Sequence, residues 1–274
     1  MNNFKRKLQS QRGVSFLEVI IALVLMGVVT AGIFRLYITQ HEHYIIQDDV
    51  TDVQQNARAS IDELSRNIRM AGYDLPVGVA ALETYNTDPD TIVVLYHHSG
   101  CDTYLSNPMP QPSAELKCGS DISCFYDGQW VFIYDAGLGE GEWFEITEVQ
   151  SAAFHLQHNT MPLSRSYDAD ALVLAMERLK YFIDNTTDPD HPKLMVQAQG
   201  HVPQVFAENI SDLQFSYRMK NGQVFDEPII VENIREVMID VTGRSNVPQY
   251  GENGEEIHRL RNFTTSVFMR NVGI

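Results

Sequence analysis

The chain has 274 residues, 44% of them hydrophobic, and carries 36 Asp and Glu against 20 Lys and Arg, a net charge of −16. That length holds a long helix and one globular domain of about 200 residues, with 13 Phe and 12 Tyr to fill a core. So acidic a chain is poorly suited to nucleic acid, whose phosphates recruit Lys and Arg, and no nucleic-acid partner is expected.

The N-terminus opens with Lys5, Arg6, Lys7 and Arg12, then Gly13, with no acidic residue among them. An apolar run follows from Val14 to Phe34, 21 residues that span roughly 31 Å as a helix, enough to cross a bilayer. The four positive charges hold the N-terminal end in the cytoplasm, and the bulk of the chain lies on the other side. Glu18 interrupts the run. A carboxylate at that depth costs about 2.5–3.5 kcal/mol and calls for a partner; the plainer alternative is a protonated or snorkelling glutamate.

Beyond Tyr37 the pattern turns amphipathic, with Val50, Val53, Ala57, Ile61, Leu64, Ile68 and Ala71 at spacings of three and four. Gly72 is a natural stop and no proline precedes Pro76, so one helix is predicted over 14–71. The rest reads as strands. Thr91–Tyr96 is a short buried-type run; a turn-rich, cysteine-bearing stretch over 97–127 reads as an excursion from the sheet. Gln129–Tyr134 and Glu142–Val149 flank a glycine-rich loop as a hairpin. Strands are further predicted within 171–183 and over 194–196, 213–219, 234–241 and 263–268. Asn221-Gly222 and the 251–254 segment supply hairpin turns.

Cys101, Cys118 and Cys124 lie close in sequence, and in an oxidising compartment a single disulfide is expected among them, leaving one thiol. Cys118–Cys124 and Cys101–Cys118 are the two local choices. Asp184, Asp188 and Asp190 alternate as calcium-loop ligands would, but Pro189 and Met195 replace the glycine and glutamate of such a loop. A solvated hairpin loop is the favoured reading, and 83–90 is a similar acidic loop. No hydrolase, nucleotide or zinc-protease motif occurs; neither an enzyme nor a cofactor is expected.

The basic leader, Gly13 and Val14-Ser15-Phe16-Leu17-Glu18 resemble the class III signal of type IV prepilins and pseudopilins, in which a dedicated peptidase cuts after the glycine. The resemblance implies a cut between Gly13 and Val14 and N-methylation of Val14. Unlike an ordinary secretory signal, the mature chain keeps its apolar core, and loss of the +4 leader takes its charge from −16 to −20. Glu18, fifth in the mature chain, is implied to neutralise the N-terminal amine of a neighbouring subunit and set axial register, two costly charges becoming one ion pair. Family members most often begin with Phe and continue Thr-Leu-Ile-Glu, so Val14 departs from the pattern. Arg35 stands where many major pilins carry a kinking proline.

Further segments resemble the PilW-type minor pilins: Gln55-Asn56-Ala57-Arg58, Ile68 to Tyr73, Ala207 to Phe215, and Thr264 to Asn271. The implied fold is α+β, a type IV pilin-like lollipop with a long N-terminal helix packed on an antiparallel β-rich head. Its parts would be a cleaved leader (1–13), a transmembrane and filament-core helix (14–36), an amphipathic continuation (37–72) and the head (73–274). The implied function is that of a minor pilin in the tip or initiation complex that primes assembly, supporting adhesion or motility. Implied partners are other minor pilins, the major pilin, the prepilin peptidase and the inner-membrane assembly platform. The chain would sit in the bacterial inner membrane with a periplasmic head, then at the pilus tip. The rivals are a J-like minor pseudopilin of type II secretion and a tip-borne adhesin.

Overall fold

The structure, a computed structural model, describes residues 13–228, 230–250, 253 and 255–271. Residues 1–12 of the expected leader (1–13) and most of the expected 251–254 turn lie outside the described residues. The fold is α+β, one long helix and antiparallel sheets. Two compact units divide the chain, Met1–Val50 and Thr51–Ile274.

Helix α1 runs unbroken over Phe16–Met70, through Arg35. Ser15 opens it by accepting from the backbone N–H groups of Glu18 and Val19. Gly72, at φ +80°, closes it in the left-handed conformation that glycine adopts freely. Its N–H donates to Leu95 O, and a Cβ there would stand 2.6 Å from Asn271 O. Only glycine fits.

In chain order the strands are β1 (Leu82–Tyr85), β2 (Thr91–Tyr96), β3 (Asp102–Tyr104), β4 (Leu116–Lys117), β5 (Trp130–Asp135), β6 (Glu140–Glu145), β7 (Glu148–Gln150), β8 (His155–Gln157) and β9 (Leu172–Leu174). There follow β10 (Glu177–Asp184), β11 (Lys193–Ala198), β12 (Gln204–Glu208), β13 (Ile210–Met219), β14 (Val224–Phe225), β15 (Ile234–Arg244), β16 (Gln249–Tyr250), β17 (Glu256–Ile257) and β18 (Leu260–Phe268). They form sheets ordered β1-β2-β10-β11-β12, β14-β13-β15-β18, β3-β9-β5-β6, β4-β8-β7 and the pair β16-β17.

The largest core lies between the first two of these sheets and α1. From the helix Ala57, Leu64 and Ile68 meet Ile92, Tyr181, Leu213, Phe215, Ile239 and Val241. Gly243 of β15 is small where the helix comes close: a Cβ there would stand 2.5 Å from Val53 Cγ1. A second core falls wholly within Cys101–Ala175, including Leu105, Leu116, Ile122, Ile133, Phe144, Leu156 and Tyr167. The cysteine-bearing stretch expected over 97–127 thus shares its interior with residues up to Ala175. A small third cluster, Val93, Leu95, Phe132, Tyr134, Leu174 and Met176, joins β2 to β5 and β9.

The hairpin expected over 129–149 is β5–β6, but its second arm stops at Glu145, and β7 turns away to pair with β8. The acidic loop expected over 83–90 is partly strand. Glu83 sits in β1 and pairs with Arg178, Oε2 to Nη2 at 2.7 Å. Asp90 is buried and accepts the backbone N–H groups of Thr87 and Phe215 at 2.9 and 2.8 Å. Unsatisfied backbone donors at the seam between two sheets explain a buried carboxylate. Asn221-Gly222 makes its turn between β13 and β14, with Gly222 at φ +87°.

Candidate assembly and processing site

Gly13 stands in open space, with nothing within 4 Å of a Cβ built on it. Val14 is 71% exposed. The Gly13–Val14 bond is therefore sterically open in this conformation. Ser15 starts the helix, which places Glu18 in its first turn, where the positive end of the helix dipole favours a carboxylate.

From Phe16 through Ile38 the side chains of Leu17, Ile20, Leu23, Val24, Val28, Phe34 and Leu36 are all exposed, and the apolar character continues on every side of the helix. Its most apolar 18-residue window has a mean hydropathy of 2.5, and none of that window is buried within the chain. A helix apolar all round is stable only in lipid or against other apolar helices. Glu18 lies inside that segment, exposed, with no side-chain hydrogen bond or ion pair among the described residues. A carboxylate in such a setting is costly and calls for a partner beyond the described residues.

Residues 8–34 match the prokaryotic N-terminal methylation motif. The match supports a type IV pilin-like protein. With the long apolar helix it supports membrane anchoring, and it implies processing by a prepilin peptidase and assembly with other pilins. Proteins of this pilin-like kind are generally structural rather than enzymatic. No curated protein and no solved structure matches the chain.

The second part of the helix has the opposite character. Val53, Ala57, Ser60, Leu64, Asn67 and Ile68 form a buried stripe, and two of these are polar. Ser60 Oγ donates to Asn56 O at 2.7 Å. Asn67 Nδ2 donates to Tyr181 Oη and to Glu63 Oε1, both at 2.8 Å, and its Oδ1 accepts from Tyr96 Oη at 3.2 Å. Burial pushes the Tyr96 hydroxyl up to about 12, and that of Tyr181 higher still. Both remain protonated donors that tie the helix to β2 and β10. Hydrophobic periodicity cannot reveal such a network; the tyrosines become its partners only once the strands are placed.

Segments read as PilW-like also meet in space. Asn56 Nδ2 donates to Glu208 O at 3.1 Å, and Gly72 abuts Asn271. Among the cysteines, the structure joins Cys101 to Cys124, with Cα atoms 5.8 Å apart. Neither of the two pairings expected from sequence forms. Cys118 is held instead by its bridge to Leu105 and its N–H bond to Phe154 O, facing the second core, where burial pushes its thiol up to about 11. Proximity along the chain misled because β3 and the Ile122–Phe125 turn bring the outer two cysteines together.

The three candidate calcium ligands are engaged separately. Asp184 Oδ1 accepts from Thr186 and Thr187, bonds that hold its carboxyl well below the usual range. Asp188 pairs with His191, 3.0 Å from Oδ2 to Nδ1, and Asp190 lies 3.9 Å from Arg244. Among the described residues no three His, Cys, Asp or Glu side chains converge as metal ligands.

Proposed function

We propose that this chain is a PilW-like minor pilin of a type IV pilus, made as an inner-membrane prepilin and placed at the pilus tip. On this reading the peptidase removes the leader 1–13 and Val14 becomes the methylated N-terminus. Residues 14–36 serve as membrane span and then filament core, 37–72 continue the stem, and 73–274 form the head that meets other minor pilins. The observation that carries the reading is Glu18: a carboxylate without a partner among the described residues, one turn into a helix apolar on every side, inside the matched methylation motif. The α-amine freed at Val14 of a neighbouring subunit supplies the missing charge, and their pairing in low dielectric fixes register. The subunit primes assembly and major pilins are added beneath it.

Mass spectrometry of filaments sheared from cells tests the reading. A peptide beginning at methylated Val14 in those filaments is the expected result. A processed chain confined to the membrane, with pili that lack it, would move the assignment to a J-like minor pseudopilin. An uncut N-terminus would overturn processing altogether. Gly13→Ala should leave an uncut precursor; Glu18→Ala should be processed yet give few or no pili.

A further inference from the structure

β18 is the outermost strand of its sheet, and among the described residues nothing pairs with its second edge. Its pairing with β15 runs in unbroken register from Glu236↔Phe268 to Arg244↔Leu260. Met269 N–H donates to Arg235 O at 3.0 Å and Ser245 N–H to Arg259 O at 2.8 Å. In an antiparallel ladder hydrogen-bonded positions alternate, so the odd-numbered residues of 259–269 bond to β15. Leu260, Asn262, Thr264, Ser266 and Phe268 therefore direct their N–H and C=O groups to the open edge. All five residues are exposed.

Exposed strand edges invite pairing and are normally blunted by shortness, bulges, proline or charge. The other edges follow that rule. β14 has two residues, β3 three and β1 four; β12 follows Pro203 and its pairing with β11 shifts register; β6 carries Glu140, Glu142 and Glu145. β18 has nine residues, roughly 30 Å of strand, with no proline and no register shift, and Arg261 near one end is its only charged residue.

Its charge is also opposite to the rest of the molecule. Within a chain of net −16, residues 259–270 hold Arg259, Arg261 and Arg270 and no Asp or Glu. All three arginines are exposed, and none takes part in an ion pair among the described residues. Two stand at one end of the strand and one at the other. We infer that the open edge of β18 receives an extended acidic segment of another protein chain as an added antiparallel or parallel strand. Main-chain bonds to the five outward residues supply affinity, and the flanking arginines select acidic ends. This inference does not depend on the filament reading.

The test uses the full chain in detergent and a nine-residue peptide of alternating Val and Thr with two Glu at each end. Saturable binding is expected, with slowed amide exchange at Leu260, Asn262, Thr264, Ser266 and Phe268. Charge reversal at Arg259, Arg261 and Arg270 together should weaken it by about tenfold or more, and raised salt should weaken it too. Asn262→Pro removes an N–H that points away from β15, so it should abolish binding while sparing the β15 ladder. The peptide N-methylated at every Val and Thr, which can pair by neither edge, should not bind. Equal binding of a Lys-ended peptide or of the N-methylated peptide would overturn the proposal. So would no saturable binding up to millimolar peptide, or protection elsewhere than 260–268. A salt-sensitive dimer of the chain that Asn262→Pro dissolves would replace the acidic partner with a second copy.

Discussion

The two parts of α1 are one continuous helix with opposite solutions to the same problem. Up to about Ile38 apolar side chains point in every direction and none is buried in the chain. From Val53 onward a narrow stripe of Val53, Ala57, Leu64 and Ile68 is buried against β-strands, and the remaining faces are largely polar. The first part is completed only by lipid or by other subunits; the second is completed by this chain's own fold. The difference separates residues whose loss unfolds the protein from residues whose loss affects only its surroundings.

The sharpest test of that separation is a matched pair of truncations. Leu64→Ala should destabilise the β-rich unit by about 2–5 kcal/mol, since a fully buried side chain leaves a cavity. Leu25→Ala should leave its stability within about 0.5 kcal/mol. Denaturant unfolding of the full chain in detergent reads both, and an equal effect would break the comparison. The second core offers the next contrast, because a covalent link closes it rather than the helix. Replacing Cys101 and Cys124 by Ser opens a loop of sequence separation 23, and the expected cost is about 3 kcal/mol. Amide exchange should then loosen residues 101–175 while Ala57 and Leu64 keep their protection.

Within the helix stripe, Asn67→Ala removes the acceptor of Tyr96 and a donor to Tyr181. A loss of about 1–3 kcal/mol is expected in thermal melts, because the buried Tyr96 hydroxyl is left without its acceptor while Tyr181 keeps its bond to Glu63. The smallest effect is electrostatic. Burial raises Asp90, so the native state takes up that proton at a higher pH than the unfolded chain does. Just above the ordinary carboxylate range, stability from this group falls as pH rises. Asp90→Asn should flatten that slope and cost about 1 kcal/mol, since the amide can accept from only one of the two backbone donors. A pH series of melting temperatures for both proteins would show a parallel course if Asp90 were not raised.

Much of the fold is legible in the sequence where a repeating pattern carries it. The helix bounds, the run Thr91–Tyr96, the hairpin strands and the Asn221-Gly222 turn follow from apolar periodicity and turn chemistry. Strands β1, β3, β4 and β12 are short or polar and gain their identity only from neighbours. Gly13, Val14 and Glu18 stand out as residues because the charge pattern around them is extreme. Polar residues that look like surface, such as Asp90 and Asn67, are the ones sequence could not place.

By itself, then, the sequence determined the properties that local pattern encodes. These are an apolar helix too long and too uniform for this chain's own core, a basic stretch ahead of it, and an antiparallel β-rich remainder. Tertiary structure decided what depends on partners far apart along the chain. It chose Cys101–Cys124 over nearer pairs, divided the interior into separate cores, buried Asp90 at a sheet seam and left β18 outermost in its sheet among the described residues. Disulfide geometry, hydrogen-bond satisfaction and strand order are pairwise properties of the folded chain, and no single segment contains them.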